Sequence, residues 1–257
     1  MANAYLLIPN HDSQSDARLA SSRGQPIRTA NDSILVQGGS LKTWSFRSPA
    51  VERVMINLET EGRPLNADVE LWQGPDNTPH KMRIYVEDGS LRPFRGFMET
   101  PRGPNTIAIR NTSQMEFPLA AAVSADNGSI DSLAGDTPPM TIQGGALRTY
   151  AFDPSVESVQ VLLKTDGRPL NSRIELLQGP NNNKQVIEVY TEDGMDRPFF
   201  IIIESPGSGN VVRVVNSSTV EFPLSAWVQP YRIGTYDPNS DVVMGGDSDG
   251  GLTLGGI

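Results

Sequence analysis

The chain has 257 residues, 37% of them hydrophobic and 20% charged, with a net charge of -9 and a pI of about 4.8. This composition suffices for packed cores, and the negative charge disfavours a phosphate backbone, so nucleic acid is not an expected partner. There is no cysteine, which excludes disulfides, thiolate nucleophiles and zinc–thiolate sites. No apolar run is long enough to cross a membrane, and the first residues lack the pattern of a secretory signal peptide.

The chain repeats itself with a period of about 105 residues. Of the 33 positions in 62–94, 18 are identical to their counterparts in 167–199. The segment V-Q-G-G-S-L-K-T-W-S-F at 36–46 returns as I-Q-G-G-A-L-R-T-Y-A-F, and E-F-P-L at 116–119 also recurs. This period fits a whole domain and is too long for a solenoid unit. The predicted order is an N-terminal arm at 1–32, a first domain at 33–125, a linker at 126–138, a second domain at 139–230 and a C-terminal arm at 231–257.

Each repeat consists of short segments typical of β-strands. In T-W-S-F at 43–46 the aromatic residues are two apart and share one face of a strand. The segment at 54–58 is mostly apolar, and N-T-I-A-I-R-N at 105–111 alternates between apolar and polar residues. Turn residues separate these segments, and no segment sustains a helical period. The pattern predicts an all-β protein of two tandem antiparallel β-sandwiches, jelly-roll-like in form, with extended terminal arms.

The most similar part of the two repeats is the segment G-R-P-L-N. Its Gly suits a turn, its Pro fixes φ after the turn, and its Leu can point into the core. A structural element copied by duplication is the favoured interpretation; the alternative is a ligand loop whose two Arg guanidinium groups bind carboxylate or phosphate. The residues are Gly62, Arg63, Pro64, Leu65 and Asn66 in the first repeat, and Gly167, Arg168, Pro169, Leu170 and Asn171 in the second.

The sequence contains no recognisable catalytic constellation. His11 lies outside the repeats, and His80 corresponds to Gln185, so neither histidine is a fixed feature of the repeat. Recurring carboxylates are interpreted as solvated or ion-paired, with Arg92 and Arg197 as nearby partners, and a glycosidase-like pair is disfavoured. We predict no catalytic residue, no metal site and no cofactor. The carboxylates are Glu70/Glu175, Glu87/Glu192, Asp88/Asp193, Glu99/Glu204 and Glu116/Glu221.

Two further patterns are assigned to local structure. The segment G-G-D-S-D-G-G at 245–251 has the closely spaced carboxylates of a calcium loop but no downstream bidentate Glu, so an acidic tail is favoured. Asn111 and Asn216 are repeat counterparts in N-x-S/T triplets, and turn chemistry is preferred to glycosylation.

The doubled G-R-P-L-N-x-x-[VI]-E-L-x-Q-G-P, followed by E-D-G-x-x-R-P-F and E-F-P-L, resembles the pyrenoid shell proteins of diatoms. The resemblance spans about residues 33–230, and both copies carry the motifs. It implies a non-enzymatic protein that assembles with itself into a thin lattice at the pyrenoid periphery, in the chloroplast stroma. The Rubisco-containing matrix would be its neighbour, and the shell would support CO2 concentration. The resemblance implies no catalytic residue.

Candidate assembly contacts lie in the C-terminal arm and in one strand of the second repeat. The arm is Gly-rich but has apolar residues, which suggests docking onto a neighbouring subunit as an extended strand. At 200–203 the second repeat reads F-I-I-I where the first reads R-G-F-M, so this strand is expected to be more deeply covered. The candidates are Val242, Val243, Met244, Leu252, Leu254, Ile257 and Ile202.

A tandem lectin-like module that binds sugars is the alternative to a self-assembling subunit. Such a module would be expected to carry aromatic platforms on exposed loops. Trp44, Trp72 and Trp227 instead lie within strand-like segments, which favours packing against the protein itself.

Overall fold

The computed structural model describes residues 33–126, 128 and 137–234. All of the secondary-structure elements assigned within these residues are β-strands. The predicted all-β class is therefore confirmed. The first repeat contains β1 (Ile34–Val36), β2 (Leu41–Phe46), β3 (Arg53–Glu59), β4 (Leu65–Trp72), β5 (His80–Val86), β6 (Phe94–Glu99), β7 (Asn105–Asn111) and β8 (Leu119–Ala125).

The second repeat contains eight corresponding strands. They are β9 (Met140–Ile142), β10 (Leu147–Ala151), β11 (Val156–Lys164), β12 (Leu170–Gln178), β13 (Asn183–Thr191), β14 (Phe199–Glu204), β15 (Asn210–Asn216) and β16 (Leu224–Ile233).

Each repeat folds into a jelly roll of two four-stranded antiparallel layers. In the first repeat the order β1-β8-β3-β6 faces the order β2-β7-β4-β5, and in the second β9-β16-β11-β14 faces β10-β15-β12-β13. These are the strand orders of an eight-stranded jelly roll built from two Greek keys. The predicted tandem sandwiches are confirmed in this form.

The two jelly rolls join side by side into two continuous eight-stranded sheets, a feature that the sequence analysis did not predict. We call them sheet A and sheet B. Sheet A has the order β1-β8-β3-β6-β14-β11-β16-β9, and sheet B has the order β10-β15-β12-β13-β5-β4-β7-β2. Strand β6 pairs with β14, and β5 pairs with β13, both antiparallel. Corresponding strands of the two repeats thus meet, and the molecule has an approximate two-fold axis at this junction.

The core between the sheets follows from the alternation of side chains along each strand. In β4 every second residue is buried, beginning at Leu65, and β5 alternates in the same way from His80. Apolar side chains from both repeats form one continuous cluster, in which Phe94 and Phe199 are fully buried. Truncation of such a phenylalanine to Ala costs about 3–5 kcal/mol.

The recurring Q-G-G turn needs both of its glycines, for different reasons. A Cβ on Gly144 would lie 1.7 Å from the carbonyl oxygen of Thr219, whereas Gly145 has open space around it but a φ of +76°. Gly38 and Gly39 repeat the same arrangement, with Gln114 in the place of Thr219. One glycine therefore permits a close backbone contact, and the other permits a left-handed conformation.

The two alanine substitutions in this turn are expected to differ in cost. Gly145→Ala should lower the free energy of unfolding by about 1–2 kcal/mol, because only the left-handed conformation is disfavoured. Gly144→Ala should lower it by more than that, because the backbone of the E-F-P-L turn must move. Urea unfolding of both variants measures the difference; equal losses would contradict the close contact.

Candidate functional site: the repeat junction and the two free ends

The junction between the repeats is held by a symmetrical pair of hydrogen bonds from buried arginines. Arg92 Nη2 donates to Gln178 Oε1 at 3.1 Å, and Arg197 Nη2 donates to Gln73 Oε1 at 2.9 Å. Both arginines are buried, at 3% and 5% exposure, and burial lowers the pKa of each guanidinium. Each arginine of R-P-F thus reaches the glutamine of Q-G-P in the other repeat, so these two motifs recur because each copy binds its twin.

The carboxylates expected beside these arginines do lie nearby, but they do not accept the arginines' hydrogen bonds. Glu87 and Asp88 lie close enough to Arg92 to act on its charge, but the hydrogen bond of Arg92 goes to the glutamine. Asp88 Oδ1 instead accepts hydrogen bonds from the backbone of Ser90 and Leu91 at 2.9 and 3.0 Å. The E-D-G motif therefore shapes the turn that delivers the arginine to the junction.

Two positions on the approximate two-fold axis show how the repeats have diverged. Arg83 of β5 pairs with its own counterpart, Glu188 of β13, so opposite charges meet where identical copies would place like charges. Gly96 of β6 likewise pairs with its counterpart Ile201 of β14. A Cβ on Gly96 would lie 2.5 Å from the ring of Phe94, so the glycine leaves room for that ring beside a large partner. At these positions the two repeats differ, and the side chain of each repeat complements the one it meets in the other repeat.

A row of alternating charges crosses the outer face of sheet B at this axis. In adjacent strands, Arg110, Asp68, Arg83, Glu188 and Arg173 are cross-strand neighbours. The Arg83–Asp68 and Arg173–Glu188 contacts measure 3.3 and 3.5 Å, and Arg83–Glu188 measures 3.9 Å. We call this row the charge ladder. Each exposed contact contributes little alone, and the alternation favours the observed register across the junction.

A shallow groove of about 390 Å³ lies over the charge ladder. Its lining includes Glu70, Lys81, Asn171 and Tyr190 beside the ladder residues. Glu70 accepts a hydrogen bond from Trp72 Nε1 at 2.8 Å, so this carboxylate is already engaged. Among the described residues no group of acidic and histidine side chains is placed to hold a metal ion.

The outer face of sheet A is apolar near the same axis. Phe97 and Phe200 pack with ring centroids 5.0 Å apart, and Leu162 and Ile202 complete a buried cluster. Ile202, a candidate assembly contact, is 2% exposed in the single chain. All of β14 is buried, whereas β6 has two partly exposed residues, as expected from the apolar F-I-I-I sequence.

The G-R-P-L-N residues act within their own repeats. Gly62 and Gly167 have φ values of +67° and +96°, and Leu65 and Leu170 are buried. Arg168 donates to the carbonyl of Glu221 at 2.8 Å and lies 5.4 Å from the ring centroid of Phe222. Arg63 makes the same contacts in the first repeat, at 3.5 and 5.3 Å, with Glu116 and Phe117. The guanidinium groups hold the E-F-P-L turn, which supports the structural interpretation over the ligand loop.

Sequence reasoning missed the role of Asn111 and Asn216 as buried clamps. Asn216 Nδ2 donates to the carbonyls of Ile142 and Phe222 at 3.0 and 2.8 Å, and Asn111 makes the corresponding bonds to Val36 and Phe117. Both side chains are almost fully buried, which is incompatible with a glycan in the folded protein. Their alternation with apolar residues in β7 and β15 was the available signal.

Four of the recurring carboxylates form ion pairs: Glu87, Glu99, Glu175 and Glu204. Glu175 is bound by Arg173 and Arg213, and Glu204 by Arg95 at 2.7 Å. Burial raises the pKa of Glu99 to about 7, and Arg53 at 4.0 Å lowers it only in part. These ion pairs tie neighbouring strands together and stabilise the sheets.

Within the described residues, the edge strands of both sheets lie at the two far ends of the molecule and pair on one side only. At one end lie β1 and β2, and at the other their counterparts β9 and β10. Apolar side chains project there: Leu35 is 62% exposed, Met140 48% and Leu147 49%. The two-fold relation of the repeats gives the molecule two similar ends that face away from each other. The arm residues Val242 to Ile257 lie outside the described residues.

These features define a class of protein. It is a tandem jelly-roll protein in which recurring Arg, Gln and Asn side chains bind other parts of the same chain. The family model described as "Diatom pyrenoid shell protein" matches residues 28–230. This chain belongs to the diatom pyrenoid shell protein family, which is consistent with a structural role and implies a place in the chloroplast pyrenoid.

Other comparisons add little. No curated protein matches the chain. The PBSX exported protein XepA is similar over 76% of this chain and 85% of its own, with 12% identity and a TM-score of 0.26. The CBM22-1-CBM22-2 tandem domain of Xyn10C from Paenibacillus barcinonensis is similar over 83% and 89%, with 11% identity and a TM-score of 0.26. At these low TM-scores neither structure carries a functional argument. Among the described residues no helix could span a membrane.

Loss of one junction glutamine is expected to destabilise the protein markedly. Gln178→Leu leaves the buried Arg92 guanidinium without its acceptor, and the free energy of unfolding should fall by about 1–3 kcal/mol. The exposed Gln37 provides the control, because Gln37→Leu should change stability by less than about 0.5 kcal/mol. Equal effects in urea unfolding would contradict the role of the Arg–Gln bonds.

The junction histidine is expected to make stability depend on pH. Burial, and then the charge of Arg197, lower the pKa of His80 from 6.5 to about 3, so the folded protein keeps this ring neutral. The stability that the protein gains by burying the neutral ring is fully present above pH 6.5. It is lost as the pH falls from 6.5 towards 3. Between pH 7 and pH 5 the loss amounts to about 2 kcal/mol.

The repeat itself supplies the matched substitution. His80→Gln, which installs the residue found at the counterpart Gln185, should remove about 2 kcal/mol of the acid sensitivity. The raised pKa of Glu99 makes stability change with pH in the opposite direction. This effect is the same in the unmodified protein and the variant, so it cancels when their pH dependences are compared. If urea unfolding at pH 7 and pH 5 shows the same change in both proteins, His80 is not the group responsible.

Proposed function

We propose that this chain is a non-catalytic structural protein that assembles with copies of itself into a sheet-like shell around the Rubisco matrix of the pyrenoid. The shell lies at the pyrenoid periphery in the chloroplast stroma and supports CO2 concentration and fixation. Membership of the shell family supports a structural role. The engagement of the recurring Arg, Gln and Asn side chains within the protein supports a structural rather than a catalytic use of these residues.

The observation that carries this proposal is that the molecule has two similar ends. They are similar because the two repeats meet at an approximate two-fold axis at the junction. A subunit with like edges on opposite sides can contact two neighbours in similar ways. Contacts of this kind that do not close into a ring continue into an extended array. Because the internal junction is a continuation of both sheets, the subunit acts as one rigid unit rather than two linked domains.

A sugar-binding module remains the competing function, and the groove beside Tyr190 is where its ligand would lie. Tyr190 is 36% exposed, and polar side chains surround it. Of the charged residues in this groove, Asp68, Arg83 and Glu188 already pair along the charge ladder, which favours the structural function.

Negative-stain electron microscopy of the purified chain is expected to show sheets or tubes. A chain ending after Gly234 keeps all of β16 but lacks the rest of the C-terminal arm. If residues such as Leu252 and Leu254 dock onto a neighbour, this shortened chain should remain dispersed.

Two outcomes would count against these proposals. Normal assembly of the shortened chain would mean that the C-terminal arm is not the contact that joins neighbouring subunits. Discrete particles of the full chain that bind a glycan array would contradict the shell function and support the sugar-binding module.

A further inference from the structure

We propose that the two free edges of sheet B pair with each other between neighbouring copies. Strand β2 at one end of a molecule would bind β10 at the opposite end of the next, so that sheet B continues along a row of molecules. This inference rests on the proposed self-assembly and names the contact that produces it.

The edges of the two sheets differ in length. The edge strands of sheet A, β1 and β9, have three residues each. The edge strands of sheet B, β2 and β10, have six and five. Very short edge strands are a common protection against pairing, whereas a longer one presents a row of unpaired N–H and C=O groups. Sheet B is therefore the sheet that offers a template at both ends.

The hydrogen-bond pattern shows which residues of β10 face outwards. Phe152 N donates to Asn210 O at 3.1 Å, and Asn216 N donates to Ala146 O at 2.9 Å. Hydrogen bonding alternates along an antiparallel strand, so the even-numbered residues bond to β15. The backbone groups of Thr149, at the centre of β10, consequently point to the open side.

Strand β2 has the same pattern. Asn111 N donates to Ser40 O at 3.0 Å, so the even-numbered residues of β2 bond to β7. Thr43, the repeat counterpart of Thr149, directs its N–H and C=O to the open side. Both threonines are exposed.

A second copy of this chain fits these edges because the molecule already pairs corresponding strands at its junction. Antiparallel pairing with Thr43 opposite Thr149 repeats that symmetry between molecules. In this register Lys42 stands opposite Tyr150, and Arg148 stands opposite Trp44. A lone basic residue normally discourages edge pairing. Here each one meets an aromatic ring, which provides a favourable cross-strand pair.

Cysteine cross-linking tests the pairing directly, because the chain has no cysteine of its own. Residues that exchange both hydrogen bonds across an antiparallel pair have Cα atoms about 5.5 Å apart, within the range that a disulfide spans. Under mild oxidation, a mixture of the T43C and T149C variants is expected to form covalent dimers. Neither variant alone should do so, because like ends do not meet. Dimers in T43C alone, or none in the mixture, would overturn the proposal.

A proline variant provides a second, independent test. Thr43→Pro removes an N–H that no described strand of the same molecule uses, and edge strands tolerate proline at such positions. The protein concentration needed for assembly should rise about tenfold or more, equivalent to about 1.4 kcal/mol. Thr43→Ala keeps the N–H and should assemble normally, and the thermal unfolding of both variants below the assembly concentration verifies the fold. Normal assembly of a folded Thr43→Pro variant would refute the edge contact.

These experiments separate the two proposals. If the unmodified chain assembles but the mixture does not cross-link, the edge contact is wrong and the shell function stands. If the unmodified chain does not assemble at all, both are wrong.

Discussion

The antiparallel pairing of β5 with β13 and of β6 with β14 is the interaction on which the rest of the structure depends. It turns two jelly rolls into one body with two continuous sheets and places their remaining edges at opposite ends. The buried bonds from Arg92 and Arg197 to the glutamines of the other repeat fix this pairing from both sides. A hydrogen bond from a charged donor contributes about 1.5–3 kcal/mol net, so the two bonds together oppose separation of the repeats.

Duplication and divergence have separate roles at this junction. The residues that remain identical in both repeats, such as the Arg–Gln pairs, make equivalent contacts on the two sides of the axis. The residues that differ meet on the axis itself, where Arg83 faces Glu188 and Gly96 faces Ile201. Opposite charges and unequal sizes complement each other there, so each repeat fits its twin better than a second copy of itself.

The repeat period and strand alternation were enough to predict an all-β protein of two sandwiches, because side chains alternate on a half-buried strand. The G-R-P-L-N turn was also predictable, since Gly62 needs a positive φ and Leu65 needs a core position. The partner of each recurring arginine was not predictable. A periodic pattern identifies which face of a strand is buried, but not which strand of another repeat lies beside it. Continuation of the sheets across repeats, and hence the positions of the free edges, became evident only from the structure.

Hydrogen exchange of the purified chain, below the concentration at which it assembles, tests the rigid junction most directly. If the junction is continuous, the amides of β5 and β13 should exchange only through global unfolding, as slowly as those of the central strands β4 and β12. The edge strands β2 and β10 should exchange much faster. Exchange of β5 and β13 at the rate of the edge strands would show that the two repeats open independently, and would contradict a single body with two matching ends.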